Sequence, residues 1–173
     1  MAGNNRYLKG KQSTQLTPVR GNIAIDAGDL LFLNATKGSL GAGKAEDSYA
    51  YPISSLAPAT GGTNCAKILT ANFLGVALES SPSGVTENIT VAKSGVFRYP
   101  LHAAYQTGAV TIGASISFVS NELSAGVSVQ NVVSLNSGYH GSTAYVGYCI
   151  KTESAATYVD INIQTAYGPF GVI

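Results

Sequence analysis

The glycine-rich stretch of residues 38–44 comes closest to a site for chemistry, because it nearly satisfies the phosphate-loop pattern GxxxxGK[ST]. In such a loop the backbone amides hold phosphate groups, the lysine reaches the outer phosphates, and the final hydroxyl binds Mg²⁺. Ala45 occupies the position of that hydroxyl, and residues 46–52 lack the pattern of the helix that the loop needs. We therefore predict that this loop binds no nucleotide.

Histidine and cysteine, which commonly act as ligands or nucleophiles, are scarce in this chain. His102 and His140 are the only histidines, and neither lies beside a second ligand type at metal spacing. Cys65 and Cys149 show no CxxC or Cys–His spacing, so we interpret them as buried thiols, with a disulfide between them as the alternative. No GxSxG sequence marks a nucleophilic serine. We predict no catalytic residue, no metal, no cofactor and no enzyme activity.

Two pairs of acidic residues have the composition of a glycosidase site. Asp26 lies three positions before Asp29, and Glu46 directly precedes Asp47. Both pairs stand in turn-like sequence, where carboxylates commonly accept hydrogen bonds from nearby backbone amides. The turn interpretation is therefore favoured over the catalytic one.

The composition excludes several classes of partner. The chain has 173 residues, enough for one domain with its own core, and only 11% are charged, against about 25% in typical soluble domains. Its net charge of +1 lacks the excess of a nucleic-acid-binding protein. No apolar run approaches the roughly 20 residues of a membrane span, and residues 1–6 have no signal-peptide character. We expect a soluble, cytosolically made product that binds neither nucleic acid nor membrane.

The elements that would position these residues have the pattern of short β-strands. Runs of β-branched and aromatic residues alternate with Gly, Ser, Asn and Pro, which is the spacing of an all-β protein. Helix is expected only as a single turn near residues 66–72 or 101–106. The runs cover residues 30–34, 73–78, 86–91, 95–99, 115–119, 127–135, 145–151 and 157–164. They predict a compact β-sandwich or β-barrel-like domain.

An internal repeat divides these runs into two related β-units. The matched segments are 26–34 with 112–120 at an offset of 86 residues, and 73–78 with 145–150 and 88–91 with 160–163 at an offset of 72. In both copies the middle strand has large residues on one face and small residues, including Gly75 and Gly147, on the other. Small residues are needed where a second backbone or sheet approaches closely.

The repeat also sets the expected domain organisation. A single β-domain contains both units, with a loop insertion in the first, and extended segments flank it at both ends. The boundaries are 1–21 for an extended basic N-terminal arm, 22–166 for the β-domain, about 22–100 and 110–166 for its units, 35–72 for the insertion, and 167–173 for an apolar C-terminal tail. The tail favours burial, either against its own domain or against a neighbouring copy.

Candidate partner-binding residues come from the arm, the insertion and the tail. The arm contains four of the ten basic residues and no acid, which suits an acidic protein surface. Interfacial tyrosines combine apolar area with a hydrogen-bonding tip, and Tyr49 and Tyr51 would share one face of an extended segment. The candidates are Arg6, Lys9, Lys11, Arg20, Tyr49, Tyr51 and Phe170. Deleting residues 2–20 is expected to leave the domain folded and to weaken attachment to a partner.

The order of the segments resembles a family of small tailed-bacteriophage virion proteins, the capsid decoration or cement proteins. The resembling segments are a Gly-Asp strand start in residues 25–32, a "GVAL" strand in 74–78, a "V-x-x-SGVF" strand in 88–97, and a second round in 112–118 and 146–163. Together they cover most of residues 22–166. The basic arm and the insertion depart from the family's pattern.

The resemblance implies a β-rich, usually oligomeric protein that sits on the outer capsid surface of the virion and clamps neighbouring major capsid subunits. A low-charge surface with ten tyrosines suits that role, and we expect a homo-oligomer, with a trimer favoured. Two other classes stay open. One is a receptor- or polysaccharide-binding module of a phage tail, and the other is a small β-barrel enzyme or ligand carrier.

Overall fold

The computed structural model describes residues 7–9, 13–33, 49–52, 72–101, 109–118, 133–135, 145–151, 153–154 and 157–165. Over these ranges the chain forms strands and turns and no helix, which confirms the all-β prediction. The strands are β1 (Tyr7–Lys9), β2 (Thr14–Pro18), β3 (Leu30–Leu33), β4 (Ala50–Pro52), β5 (Phe73–Ala77), β6 (Asn88–Ala92), β7 (Ser94–Pro100), β8 (Ala109–Val110), β9 (Ser115–Phe118), β10 (Val133–Leu135), β11 (Gly147–Cys149), β12 (Glu153–Ser154) and β13 (Tyr158–Gln164). In particular, no helix of the described part is long and apolar enough to cross a membrane.

Most of these strands belong to two antiparallel sheets in a sandwich-like arrangement, as predicted. The six-stranded sheet has the order β1-β7-β13-β11-β9-β10, and the five-stranded sheet has the order β2-β6-β5-β3-β4. Strands β8 and β12 pair separately. Apolar side chains from both large sheets join one buried core, which includes Phe32 and Phe73 from one sheet and Phe97 and Ile161 from the other.

The strand order repeats between the two large sheets, although β7, which the sequence analysis assigned to the first unit, belongs to the second series, and β2 of the predicted arm belongs to the first. In the five-stranded sheet the neighbours run β2-β6-β5-β3-β4, and in the six-stranded sheet they run β7-β13-β11-β9-β10. Each strand of the first series therefore has a counterpart in the second, and β1 is an additional strand at the edge beside β7. The isolated bridge between Ile25 and Ser81 likewise has its counterpart in the pairing of Val110 with Glu153.

The strand register corrects the upstream offset of the repeat from 86 to 85 residues. Leu31 pairs with Gly75 in the first unit, and Ile116 pairs with Gly147 in the second. Since the two glycines are 72 positions apart, Leu31 corresponds to Ile116 and not to the residue after it. A one-residue slip reverses which face of a strand each side chain occupies, so the pairing register is the stronger criterion.

The downstream part of the repeat needs a two-residue correction. The amide of Leu78 donates to the carbonyl of Thr90, whereas the equivalent amide of Ile150 donates to the carbonyl of Asp160. β13 therefore aligns with β6 at an offset of 70 residues, not 72. A shift of two residues keeps every side chain on its original face, which is why the hydrophobic pattern did not reveal it.

The small residues of the middle strands lie where neighbouring backbone comes close, as the sequence predicted. A Cβ atom on Gly75 would overlap the carbonyl oxygen of Ala92, and one on Gly147 would overlap the carbonyl oxygen of Asn162. Gly75 also has a φ of 145°, which side-chain-bearing residues rarely adopt. Both units thus require glycine at the equivalent position, in β5 and in β11.

Two stretches of the predicted basic arm are strands of the domain, which corrects the boundary at residue 21. β1 pairs with β7 in one sheet, and β2 pairs with β6 in the other. At the corner between them, the amide of Lys93 donates to the carbonyl of Ser13 at 2.7 Å, and the amide of Ser13 donates to Ser94 Oγ at 2.9 Å. The two N-terminal strands therefore contribute one strand to each large sheet.

The predicted insertion of residues 35–72 also contributes a strand. Its residues 50–52 form β4, which pairs with β3 at the edge of the five-stranded sheet. A parallel bridge between Val19 and Ala50 joins this edge to the end of β2 at the opposite edge. The two edges of the five-stranded sheet therefore meet at this bridge, which partly closes the sheet as in a small barrel.

The turn before β3 bears out the structural interpretation of the first acidic pair. The carboxylate of Asp29 accepts a hydrogen bond from the Asp26 amide at 2.9 Å. Nearby, the buried hydroxyl of Tyr99 donates to the carbonyl of Gly28 at 3.0 Å, linking β7 to this turn. Burial, and secondarily the charge of Asp29, hold the pKa of Tyr99 well above its usual value. The Tyr99 hydrogen bond thus connects β7 of the six-stranded sheet to the turn that precedes β3 of the five-stranded sheet.

Cys149 is buried, as predicted, and its Sγ donates to the carbonyl of Lys151 at 2.9 Å. Several other predictions lie outside the described residues. They concern Cys65, the glycine loop at 38–44, the pair Glu46 and Asp47, His102, His140, and the helical turns predicted near 66–72 and 101–106, of which only Asn72 and Leu101 are described.

Candidate interaction surface

The strongest candidate site among the described residues is one face of the six-stranded sheet. Along β13, Val159, Ile161 and Ile163 are buried in the core, while Tyr158 and Asn162, at alternate positions, are exposed. This is the period-two alternation of a strand with one covered face. We call the opposite face, which carries Tyr158, Asp160 and Asn162, the polar face.

A charged pair lies in the middle of the polar face. Arg98 and Asp160 are direct cross-strand partners on β7 and β13. The Nε and Nη2 atoms of Arg98 donate to the two carboxylate oxygens of Asp160 at 2.7 and 3.0 Å. Asp160 is only 8% exposed, so its charge depends on this two-pronged contact for the hydrogen bonds that water would otherwise supply. The pair is a rigid feature in a chain with few charges.

An aromatic pair lies in the next row of the same face. Tyr148 of β11 sits opposite Asn162 on one side and opposite Ser115 on the other. The ring of Tyr148 packs against that of Tyr145, with ring centroids 5.1 Å apart and planes tilted by 39°. A side-chain hydrogen bond with Tyr145, assisted by partial burial, raises the pKa of Tyr148. Both rings remain partly exposed, so they offer apolar area with polar tips.

The composition of the polar face is that of a binding surface. Tyrosine and arginine are enriched at protein interfaces because they bury large areas and still satisfy hydrogen bonds. Tyr158, 40% exposed, extends the aromatic area along β13 beyond the charged pair. In the described ranges, no cluster of three or more His, Cys, Asp and Glu side chains is arranged to hold a metal ion. The arrangement can bind a surface and hold it in a fixed orientation.

The predicted strand runs 145–151 and 157–164 contain Tyr145, Tyr148 and Tyr158, but sequence reasoning missed Arg98 and Asp160 as a pair. Their only sequence signal is that opposite charges occur in two β-runs. The contact depends on β7 pairing with β13 in one particular register, which joins residues 62 positions apart in the chain. Nothing local in the sequence specifies that register.

Replacing Arg98 by alanine tests the charged pair. Arg98→Ala leaves a largely buried carboxylate without its main donor, and we expect the free energy of unfolding to fall by about 1–3 kcal/mol. Adding Asp160→Asn to the same chain removes the stranded charge and is expected to recover part of that loss. Urea unfolding of the two variants measures both effects. If Arg98→Ala showed no detectable loss in the free energy of unfolding, water would be supplying the hydrogen bonds that Arg98 gives to Asp160.

The residues predicted to bind partners are not gathered at one place in the described structure. Lys9 pairs with Val96 at the edge of the six-stranded sheet, whereas Arg20 lies just after β2 in the other sheet. The Nη1 atom of Arg20 donates to the hydroxyl of Tyr51 at 3.2 Å, so two predicted residues meet in an internal contact. Arg6, Lys11 and Phe170 lie outside the described residues.

The prediction that Tyr51 binds a partner is wrong, because its side chain has no exposed area. Tyr51 pairs with Phe32, and all three residues of β4 are buried, so the strand is covered on both faces. Tyr49 precedes β4 and is 37% exposed. The two tyrosines therefore do not form one exposed face.

A second exposed surface, which the sequence analysis did not identify, is the outer edge of β2. Leu16 is 64% exposed at the centre of this strand, with Thr14 and Gln15 exposed beside it. Its cross-strand neighbour is Thr90 of β6, and no strand pairs with the other side of residues 14–18 among those described. Leu16 was missed because it alternates with polar residues as an inward-facing residue would.

A scan against protein-family models finds no match to the chain, and a search of curated protein sequences finds none either.

Proposed function

We propose that this chain is a structural virion protein, a capsid decoration or cement protein that binds the outer capsid surface and clamps neighbouring major capsid subunits. The observation that carries the proposal is the polar face, where Tyr145, Tyr148 and Tyr158 flank the Arg98–Asp160 pair on a sheet. Such a face suits attachment to a broad protein surface. The protein needs no cofactor in this role and acts as a homo-oligomer, with a trimer favoured.

The duplicated architecture supports the same role. A clamp needs contact area and several attachment points, since linked contacts strengthen one another by raising the effective concentration of the second contact. Two units with the same strand order give one chain two similar scaffolds, which suits a protein that bridges neighbouring copies of a repeated partner. The segments that resemble decoration proteins also lie mainly in these two units.

Labelling purified virions tests this proposal. We expect an antibody against the chain to decorate the whole outer capsid surface in negative-stain images, because a cement protein occupies repeated capsomer positions. Label confined to the tail would instead support a receptor- or polysaccharide-binding module. Label absent from intact particles, in a preparation where the chain is shown to be expressed, would contradict a virion role. Particles from a phage lacking the gene are the matched control.

A further inference from the structure

Among the described residues no strand pairs with the outer edge of β2, and this free edge offers backbone groups to an incoming strand. In an antiparallel ladder, both the N–H and the C=O of one residue point to the same side, and successive residues alternate between sides. The carbonyl of Thr90 accepts a hydrogen bond from the amide of Leu78, which directly follows β5, so Thr90 directs its backbone groups away from β2. Leu16, which pairs directly with Thr90, must then direct its own N–H and C=O away from β6. By the same alternation, Thr14 does so as well.

This edge also lacks the usual protection against strand addition. Natural edge strands are commonly guarded by charged side chains, by bulges, or by proline. β2 contains no charged residue, its pairing with β6 is regular over all five residues, and its one proline, Pro18, stands at the far end. At its centre, the exposed Leu16 offers apolar area beside the free backbone groups. The protected end, after Pro18, is where Val19 bridges to Ala50.

The second unit shows what fills the equivalent position. β7 lies beside β13 as β2 lies beside β6, and the outer edge of β7 carries β1 as an extra antiparallel strand. The matching place beside β2 holds no strand among the described residues. The same scaffold therefore accepts a short extended segment in one unit, while no described strand occupies that place in the other.

We propose that the free edge of β2 is a strand-accepting site for an extended segment of a partner polypeptide. By analogy with β1, the segment adds antiparallel to β2, with an apolar residue opposite Leu16. A cation lies beside this site, because Lys93 Nζ donates to Gln15 Oε1 at 3.0 Å. In an antiparallel strand, the position opposite Gln15 is one residue after the position opposite Leu16. A carboxylate there, or two residues further on, complements the ammonium group of Lys93.

A defined peptide tests this site without assuming the virion role. The probe is a short capped peptide with a central valine and with glutamate at the first and third positions after it; its counterpart has lysine at those two positions. We expect the glutamate peptide to bind, to slow hydrogen exchange at the Leu16 amide, and to bind more weakly as salt rises. Leu16→Pro removes the outward donor, which an edge strand tolerates, and should weaken binding about tenfold or more.

Two further variants test the strand-accepting site even if Leu16→Pro folds poorly. Lys93→Glu should reverse the preference, so that the lysine peptide binds and the glutamate peptide does not. Ile112→Ala, which truncates an exposed side chain of the other unit, should change nothing. No protection of the Leu16 amide by either peptide, or an unchanged preference in Lys93→Glu, would overturn the proposal. Concentration-dependent protection of Leu16 in the protein alone would overturn it too, because a second copy would then occupy the edge. Peptide binding without capsid labelling would contradict only the virion function.

Discussion

A chain that lacks residues 2–20 is expected to lose most of its folding stability. The deletion removes β1 and β2, and with them a five-residue ladder against β6 and the corner that connects the two sheets. It also removes Val19, which is fully buried, and a buried valine alone contributes about 1.5–3 kcal/mol. Since a domain is stable by only about 5–15 kcal/mol, the truncated chain should show little or no cooperative unfolding in urea.

Deleting residues 2–6 is the matched control, because it ends before β1. That shorter deletion should leave the unfolding midpoint close to that of the full chain. The expectation from the sequence was the opposite for the long deletion, since the arm was predicted to project from a domain that folds without it. A cooperative transition of nearly full stability in the chain lacking residues 2–20 would support that earlier expectation and contradict the strand pairing described for β2.

The second large effect is expected at Gly75. Gly75→Ala would place a Cβ against the carbonyl of Ala92 while forcing a side-chain-bearing residue to a φ of 145°. Backbone strain and overpacking each cost about 1–3 kcal/mol, so we expect a combined loss of about 4 kcal/mol in the free energy of unfolding. Urea unfolding followed by circular dichroism measures the loss.

Gly84 provides the control for this substitution. It also has a positive φ, of 102°, but a Cβ built on it would meet no atom within 4 Å. Gly84→Ala should therefore cost only the conformational part, about 1–2 kcal/mol. The difference between the two variants isolates the close approach of β6 to β5. Equal losses would show that Ala92 can move aside and that the approach is not a constraint.

The sequence predicted those features of the fold that follow from the alternation of apolar and polar residues along a strand. Alternating apolar residues in 73–78 and 145–150 were sufficient to identify β5, β11 and their relationship, because period and residue size are local properties. The positions of β1, β2 and β4 were not predictable in this way. Each is short, and each is a strand only because a distant segment pairs with it, as β4 does with β3. Pairing partners are set by the whole chain.

The residues of the candidate surface also fall into two groups, those that the local sequence indicates and those that depend on how the strands pair. The strand tyrosines were identifiable because residue type and β-context are both readable from sequence. The sequence did not indicate whether a tyrosine faces solvent or the core. Tyr51 is an example, because it lies between two buried residues of β4, pairs with Phe32 and is wholly buried. The Arg98–Asp160 pair and the free edge beside Leu16 depend on register and sheet order, which emerge only when the sheets are assembled.

The central claim is that this chain covers a capsid by attaching to its repeated subunits. The most direct measurement is the number of copies in purified virions relative to the major capsid subunit, obtained by quantitative mass spectrometry with labelled reference peptides from both proteins. A decoration protein is expected in a fixed ratio close to the number of capsid attachment sites. A few copies per particle, or none, would contradict the claim.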